Sequence, residues 1–255
     1  AISLNASDVD DDPLTYILVS QPQQGELTGM GQNLVYTPDP GYVGDDAFTF
    51  KVSDGALESE AVTVDITVNS AGPVTVFFDD FETNKGWIVN PDGTDTATAG
   101  IWERAVPATV DLSGPKQLAA YSGSYDLVTG PDPLRSWWWW TWSVDDINNG
   151  VTSVRSPNIA LPSANQLTLS LMYYLAHDAN SSADDFLRVR VIGASSQVLL
   201  EEFGGGNDDD AEWAPFSVDL SPFAGQTVYL LIDAADWGAN SLVEAAIDDV
   251  LIIAE

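Results

Sequence analysis

The sequence predicts an all-β chain folded as two β-sandwiches in tandem. Short runs rich in Val, Ile, Leu, Tyr and Phe recur between clusters of Gly, Pro, Asn and Asp along the whole length, which is the pattern of strands punctuated by turns. No window shows a helical hydrophobic period closed by caps. A compact stretch of small and turn-forming residues, "NSAGP" at 69–73, interrupts the strand pattern and marks a linker. With 255 residues, the chain has room for two units of unequal size, here residues 1–70 and 71–255.

The elements follow in order. In the first unit "LTYILVS", "NLVYTP", "DAFTFKVS" and "AVTVDITV" read as strands over residues 14–68. In the second they are "VTVFFDDF", "QLTLSLMYYLA", "FLRVRVIG", "QVLLEEF", "TVYLLIDAA" and "EAAIDDVLII". "LTLSLMYY" and "LRVRVIG" alternate, placing Leu, Leu and Leu, or Leu, Val and Val, on one face. A hydrophobic content of 45% is enough for a buried core.

Charge and composition exclude several functions. Eight Lys and Arg stand against 39 Asp and Glu, a net charge of −31. Such a surface repels nucleic acid and anionic membranes, and it repels itself unless salt or bound cations screen it. Saline or calcium-rich water suits it. Cysteine is absent, so disulfides, thiolate metal sites and Cys nucleophiles are excluded. No apolar run approaches the ~20 residues that span a bilayer. The one histidine, His177 in "LAHDANSS", rules out a His-rich zinc site. It reads as a strand-end side chain bonded to a nearby carboxylate. A glycosidase needs only two placed acids, but the acids here cluster in turns, where hydration or cation binding accounts for them.

Residues 1–68, through "LNASDVDDDPLTYILVSQPQQGELT" and "LVYTPDPGYVGDDAFTFKVSDG", resemble the cadherin-like, bacterial Ig-like repeats of secreted and surface proteins. The resemblance implies a seven-strand sandwich, of which the strand expected before Ile2 is missing. That gap leads to two expectations: a longer parent chain with adjacent domains, or strand complementation by another chain. Residues 77–253 resemble jelly-roll modules of the MAM and cleaved-adhesin type. The marks are "FFDDFETNKGW", "GIWER", "SYDLVTG", "TSVRSPNIALP", "LMYYLAHDANSSADDFLRVRV" and "VEAAIDDVLI". Such modules are appended to secreted bacterial peptidases, notably zinc carboxypeptidases, and to adhesins. The setting implied is extracellular.

Calcium, a hard cation that takes six to eight oxygens, is the cofactor these acids suit. "SDVDDD" sets Asp8, Asp10 and Asp12 at alternate positions. In cadherin-like repeats an Asp-x-Asp here helps bind calcium beside a preceding repeat; a solvated acidic turn is the other reading. In a jelly roll the first and last strands neighbour each other, so "DDFE" and "IDDV" bring Asp80, Glu82, Asp248 and Asp249 together. Like charges that close need a cation. Strand alternation sends adjacent residues to opposite faces, so one of Asp248 and Asp249 ligates. "NPDGTDTA" (Asp92, Asp95) reads as a turn.

"SWWWWTWS", residues 136–143, holds five of the nine tryptophans in what resembles an enlarged loop of the jelly roll. As one strand it places Trp137 and Trp139 on one face and Trp138, Trp140 and Trp142 on the other. Three such rings approach ~500 Å² of apolar surface. Packing within the chain is one reading; a platform for sugar rings or a protein partner is the other. The expected protein is a non-catalytic, calcium-stabilised attachment region of a larger secreted protein, binding polysaccharide or a protein surface. The alternatives are a structural spacer with the Trp run as a protein contact, and a carboxylate-based glycoside hydrolase.

Overall fold

The computed structural model describes residues 1–70, 72–111, 114–131, 135–137, 140–142, 146–164, 166–237 and 241–255, with the backbone alone at 135–137 and 140–142. The chain forms two compact units, Ala1–Gly72 and Pro73–Glu255. Among the described residues no helix is long and apolar enough to cross a membrane.

The first unit has six strands: β1 (Ile2–Ser3), β2 (Thr15–Ser20), β3 (Gly25–Met30), β4 (Asn33–Pro38), β5 (Gly44–Ser53) and β6 (Val62–Val68). They form two three-stranded antiparallel sheets, β1-β4-β3 and β2-β5-β6. Where the resemblance implied seven strands, the described residues form six. Among the described residues Phe48 is fully buried and Leu4 nearly so. Asp46 ties the β2–β3 turn to β5, accepting hydrogen bonds from the Gln23 and Gln24 N–H groups and the Tyr36 hydroxyl. Burial works to raise this carboxyl, but these bonds and that from the Ala47 N–H outweigh it and hold the pKa down to about 2.

The second unit opens with β7 (Val74–Asp79), β8 (Ile88–Val89), β9 (Trp102–Ala105), β10 (Val110–Asp111), β11 (Pro115–Gln117) and β12 (Asp126–Thr129). It continues with β13 (Arg135–Trp137), β14 (Trp140–Trp142), β15 (Gly150–Arg155), β16 (Ile159–Ala160), β17 (Leu167–His177) and β18 (Phe186–Ile192). It closes with β19 (Ser196–Phe203), β20 (Ala214–Asp219), β21 (Thr227–Asp236) and β22 (Val243–Ala254). One sheet runs β20-β17-β22-β12-β9, with β7 also on β22; the other runs β19-β18-β21-β15-β8, with β16 on β21. The first and last strands pair, Val250 opposite Asp79.

The alternating segments face the core as their period demands. Leu167, Leu169 and Leu171 of β17 and Leu187, Val189 and Val191 of β18 join Leu230, Ile232, Ile247 and Ile252 in one cluster. Each such side chain stabilises the fold by about 1.5–3 kcal/mol on full burial. Alternation fails at one place in β22. The pairing with β17 slips between Ser170 and Met172, and Asp249 takes a positive φ of 49°, the signature of a β-bulge.

Candidate functional site

The outer face of the sheet β19-β18-β21-β15-β8 carries a site-like surface. Because Leu187, Val189 and Val191 point inward, Phe186, Arg188 and Arg190 point outward. Arg190 donates to the Asp233 carboxylate through Nε and Nη2, and Arg188 donates to Glu201 while lying over the Phe186 ring. Burial raises the Asp233 carboxyl despite the Arg190 charge. The rim includes the turn at Asp92, closed by the Gly93 N–H on the Asn90 carbonyl, and Asp95 accepts hydrogen bonds from the Ser153 N–H and hydroxyl and locks the rim against β15.

Trp237 stands just after β21 with 54% of its surface exposed. Its backbone N–H donates to the buried Asp185 carboxylate, which anchors the main chain at this residue. Two grooves meet at it. One, of about 350 Å³, is lined by residues including Asp92, Thr94, Thr96, Arg190 and Asp233; the other, of about 400 Å³, by Asp184, Phe186, Arg188 and the half-exposed Phe203. An exposed indole thus stands between two recesses rich in hydroxyls, carboxylates and guanidinium groups. Such a surface offers a flat apolar platform with hydrogen-bonding groups on both sides.

The predicted acids gather around the loop 121–125. Asp80 accepts the Glu82 N–H, and Glu82 accepts the N–H groups of Ser124 and Tyr125, which hold its carboxyl below the ordinary range. Asp248 accepts N–H groups from Ser122 and Asp249. Asp249 lies 2.8 Å from the Ser122 hydroxyl. The bulge therefore corrects the expectation from alternation, since Asp248 and Asp249 both reach Ser122 instead of parting. Among the described residues no three acid or imidazole side chains cage a metal by themselves, so a cation here would need carbonyl and water oxygens as well. Asp126 is the residue the sequence reading missed. It is fully buried on β12, next to Asp248 across the ladder Leu127↔Ile247, and neither of its carboxylate oxygens has a hydrogen-bond partner. Burial, with the Asp248 charge beside it, raises Asp126 to about 8, and burial raises Asp248 to about 6. An orphaned buried carboxylate beside a second one is a donor set that fits calcium.

The other predicted positions are less assembled. Asp8 accepts the N–H groups of Asp10 and Asp12 in an exposed turn. His177 is buried, its Nδ1 3.1 Å from the Asp178 carbonyl oxygen and its Nε2 3.9 Å from the Asp209 carboxylate. The tryptophan run is not one strand. The backbones of β13 and β14 pair with each other, Trp137 opposite Trp140 and Arg135 opposite Trp142. Trp138 and Trp139, and the side chains of Trp137, Trp140 and Trp142, lie outside the described residues.

Comparison with known proteins places the first unit. Residues 1–67 match the family described as Bacterial Ig domain. That is the kind of repeat residues 1–68 resemble. No curated protein matches the chain. Among solved structures, the K3 cleaved adhesin domain of Lys-gingipain from Porphyromonas gingivalis W83 is similar at 20% identity and a TM-score of 0.45, covering 72% of this chain and 100% of that one. The CBM22-1 xylan-binding domain from Paenibacillus barcinonensis Xyn10C is similar at 14% identity and a TM-score of 0.38, covering 71% and 96%. A structure of carbohydrate-binding modules from the β-sandwich superfamily is similar at 13% identity and a TM-score of 0.40, covering 95% and 86%.

Proposed function

We propose that this chain is a non-catalytic attachment region of a secreted or surface protein, and that its second unit binds a neutral polysaccharide along the Trp237 grooves. The half-exposed Trp237, its main chain anchored between two polar recesses, carries the reading. An indole loses little rotamer freedom when a sugar ring stacks on it. Hydroxyls of Thr94 and Thr96 and the carboxylates of Asp92 and Asp184 serve sugar hydroxyls on either side. The net charge of −31 selects against polyanionic glycans at low salt. The extracellular setting rests on the resemblance of both units to modules of secreted bacterial proteins.

Calcium stabilises the second unit in this reading, held around the loop 121–125 by acids that include Asp248 and supplying the charge that the gathered carboxylates lack. Trp237→Ala should lower retention on insoluble neutral polysaccharide at least tenfold, the scale of a stacked aromatic contact of about 1.5 kcal/mol, with an unchanged melting temperature. Retention equal to that of the parent chain would refute the assignment of the face.

A further inference from the structure

We propose that a cleft beside Trp213 takes the cationic head of an arginine or lysine side chain from a partner protein. This second binding face shares no lining residue with the Trp237 grooves. The cleft, of about 350 Å³, is lined by residues including Tyr173, Glu202, Asp209, Glu212 and Trp213. Local geometry sets its acids. Asp209 and His177 form an antiparallel bridge, each N–H donating to the other's carbonyl oxygen, so their side chains share a face. Asp208 and Asp210, on either side, give their carboxylates to Lys116. That lysine is thereby spent. No Lys or Arg among the described residues pairs with Glu202, Asp209 or Glu212.

His177 supplies an independent sign of an absent partner. Its side chain is 3% exposed. Nδ1 lies 3.1 Å from the Asp178 carbonyl oxygen, which can only accept, so Nδ1 carries the proton. Nε2 makes no hydrogen bond among the described residues and faces the Asp209 carboxylate at 3.9 Å, beyond hydrogen-bond reach. Burial raises the Glu202 carboxyl even though the Tyr173 hydroxyl bonds to it. Three carboxylates and a ring nitrogen without a hydrogen bond thus gather with no lysine or arginine to serve them. The aromatic wall says which kind of cation fits. The Trp213 ring is held by its Nε1–H on the Ala119 carbonyl oxygen and by edge contacts with Tyr174 and Tyr121. A fixed indole beside carboxylates attracts an organic cation through its quadrupole. The apolar stem of arginine or lysine lies along Trp213 and Pro215 while the head reaches the acids. A bare metal ion fits less well, since no three acid or imidazole groups among the described residues converge to hold one. The net charge of −31 draws a basic partner toward the same surface.

The test uses the full 255-residue chain at physiological ionic strength. Fluorescence anisotropy follows dye-labelled, end-capped glycine–serine peptides carrying three arginines, three lysines or three glutamines. Glu202→Gln/Asp209→Asn removes two cleft charges and keeps their shapes. Asp39→Asn/Glu60→Gln removes two exposed charges from the first unit, so both variants have the same net charge. The expected result is binding of a basic peptide and not of the glutamine peptide by the parent chain. The cleft variant should bind about tenfold more weakly, the scale of one charge-assisted contact, and the control within about twofold of the parent, since exposed charges that far away are screened. Glu212→Gln, at an exposed member of the wall, should give a smaller loss in the same direction, which separates the effect from misfolding of the double variant. Equal weakening in both double variants overturns the inference, because the attraction is then one of net charge. No binding of either basic peptide by the parent chain overturns it too, and binding of amine-bearing chitosan oligosaccharides in their place assigns the cleft to a glycan instead.

Discussion

Lys116→Met is expected to lower the stability of the second unit by about 3 kcal/mol, the low end of the range for breaking a buried ion pair. The Lys116 side chain is 1% exposed, and its ammonium donates to Asp208 Oδ1 at 2.5 Å, Asp210 Oδ1 at 2.9 Å and the carbonyl oxygens of Asp209 and His177. Burial works to lower its pKa, and the hydrogen bonds to Asp208 and Asp210 outweigh that and raise it. One ammonium thus joins β11 to the acidic loop 207–210 and to the end of β17. The approach is so close that a Cβ on Gly114, at a φ of +133°, would lie 2.0 Å from Asp210 Oδ1. Met keeps the stem and removes the charge. Asp208 and Asp210, with side chains 42% and 51% exposed, rehydrate, which keeps the loss at the low end. A unit of this size should melt about 6–12 °C lower. A shift of a degree or less in thermal denaturation would show that the ammonium does not tie these segments together.

Asp146→Asn is expected to stabilise the protein at pH 8 and to flatten its acid-side stability profile. Asp146 is 7% exposed, and burial, then the charge of Asp236, raises its carboxyl to about 7. In the unfolded chain the same group ionises near 3.8. Between those values the folded protein holds a proton that the unfolded chain has released. Its stability therefore falls as pH rises from about 4 to about 7, and the penalty stays constant above that. The full span is on the order of 4 kcal/mol, at 1.36 kcal/mol per pKa unit. Asn keeps the polar contact to Asn148 and carries no charge, so the difference between variant and parent grows across this window. Parallel profiles from chemical denaturation at pH 5 and pH 8 would contradict the assignment.

The strands were the most legible part of the sequence. Leu167, Leu169 and Leu171, like Leu187, Val189 and Val191, declare their inward face by alternation alone, and the two-unit division follows from turn chemistry at 69–73. The site was much less legible, for physical reasons. The Trp237 grooves are assembled from the loop 92–96, from β18 and β19, and from Trp237 just after β21, and no local window contains them. Asp126 sits in "SYDLVTG", where period 2 assigns it to the solvent face. That face is covered by the chain between β9 and β12, whose Leu118 packs with Val128, Tyr174 and Ala246. A bulge that puts Asp248 and Asp249 on the same serine cannot be read from alternation, because it is a breach of alternation. The tryptophan run misled in the opposite sense. Its density suggested one strand with two apolar faces, and the backbone there pairs with itself instead.

The most direct test of the account is a depletion isotherm on insoluble xylan and cellulose for three proteins in calcium-containing buffer: the parent chain, Trp237→Ala and the double variant Trp138→Ala/Trp140→Ala. The account predicts saturable depletion of the parent from at least one of them, lost in Trp237→Ala and kept in the double variant, with Trp237→Ala melting like the parent. Saturable depletion that survives Trp237→Ala and disappears with Trp138 and Trp140 would contradict it, and would move the binding face to the tryptophan run.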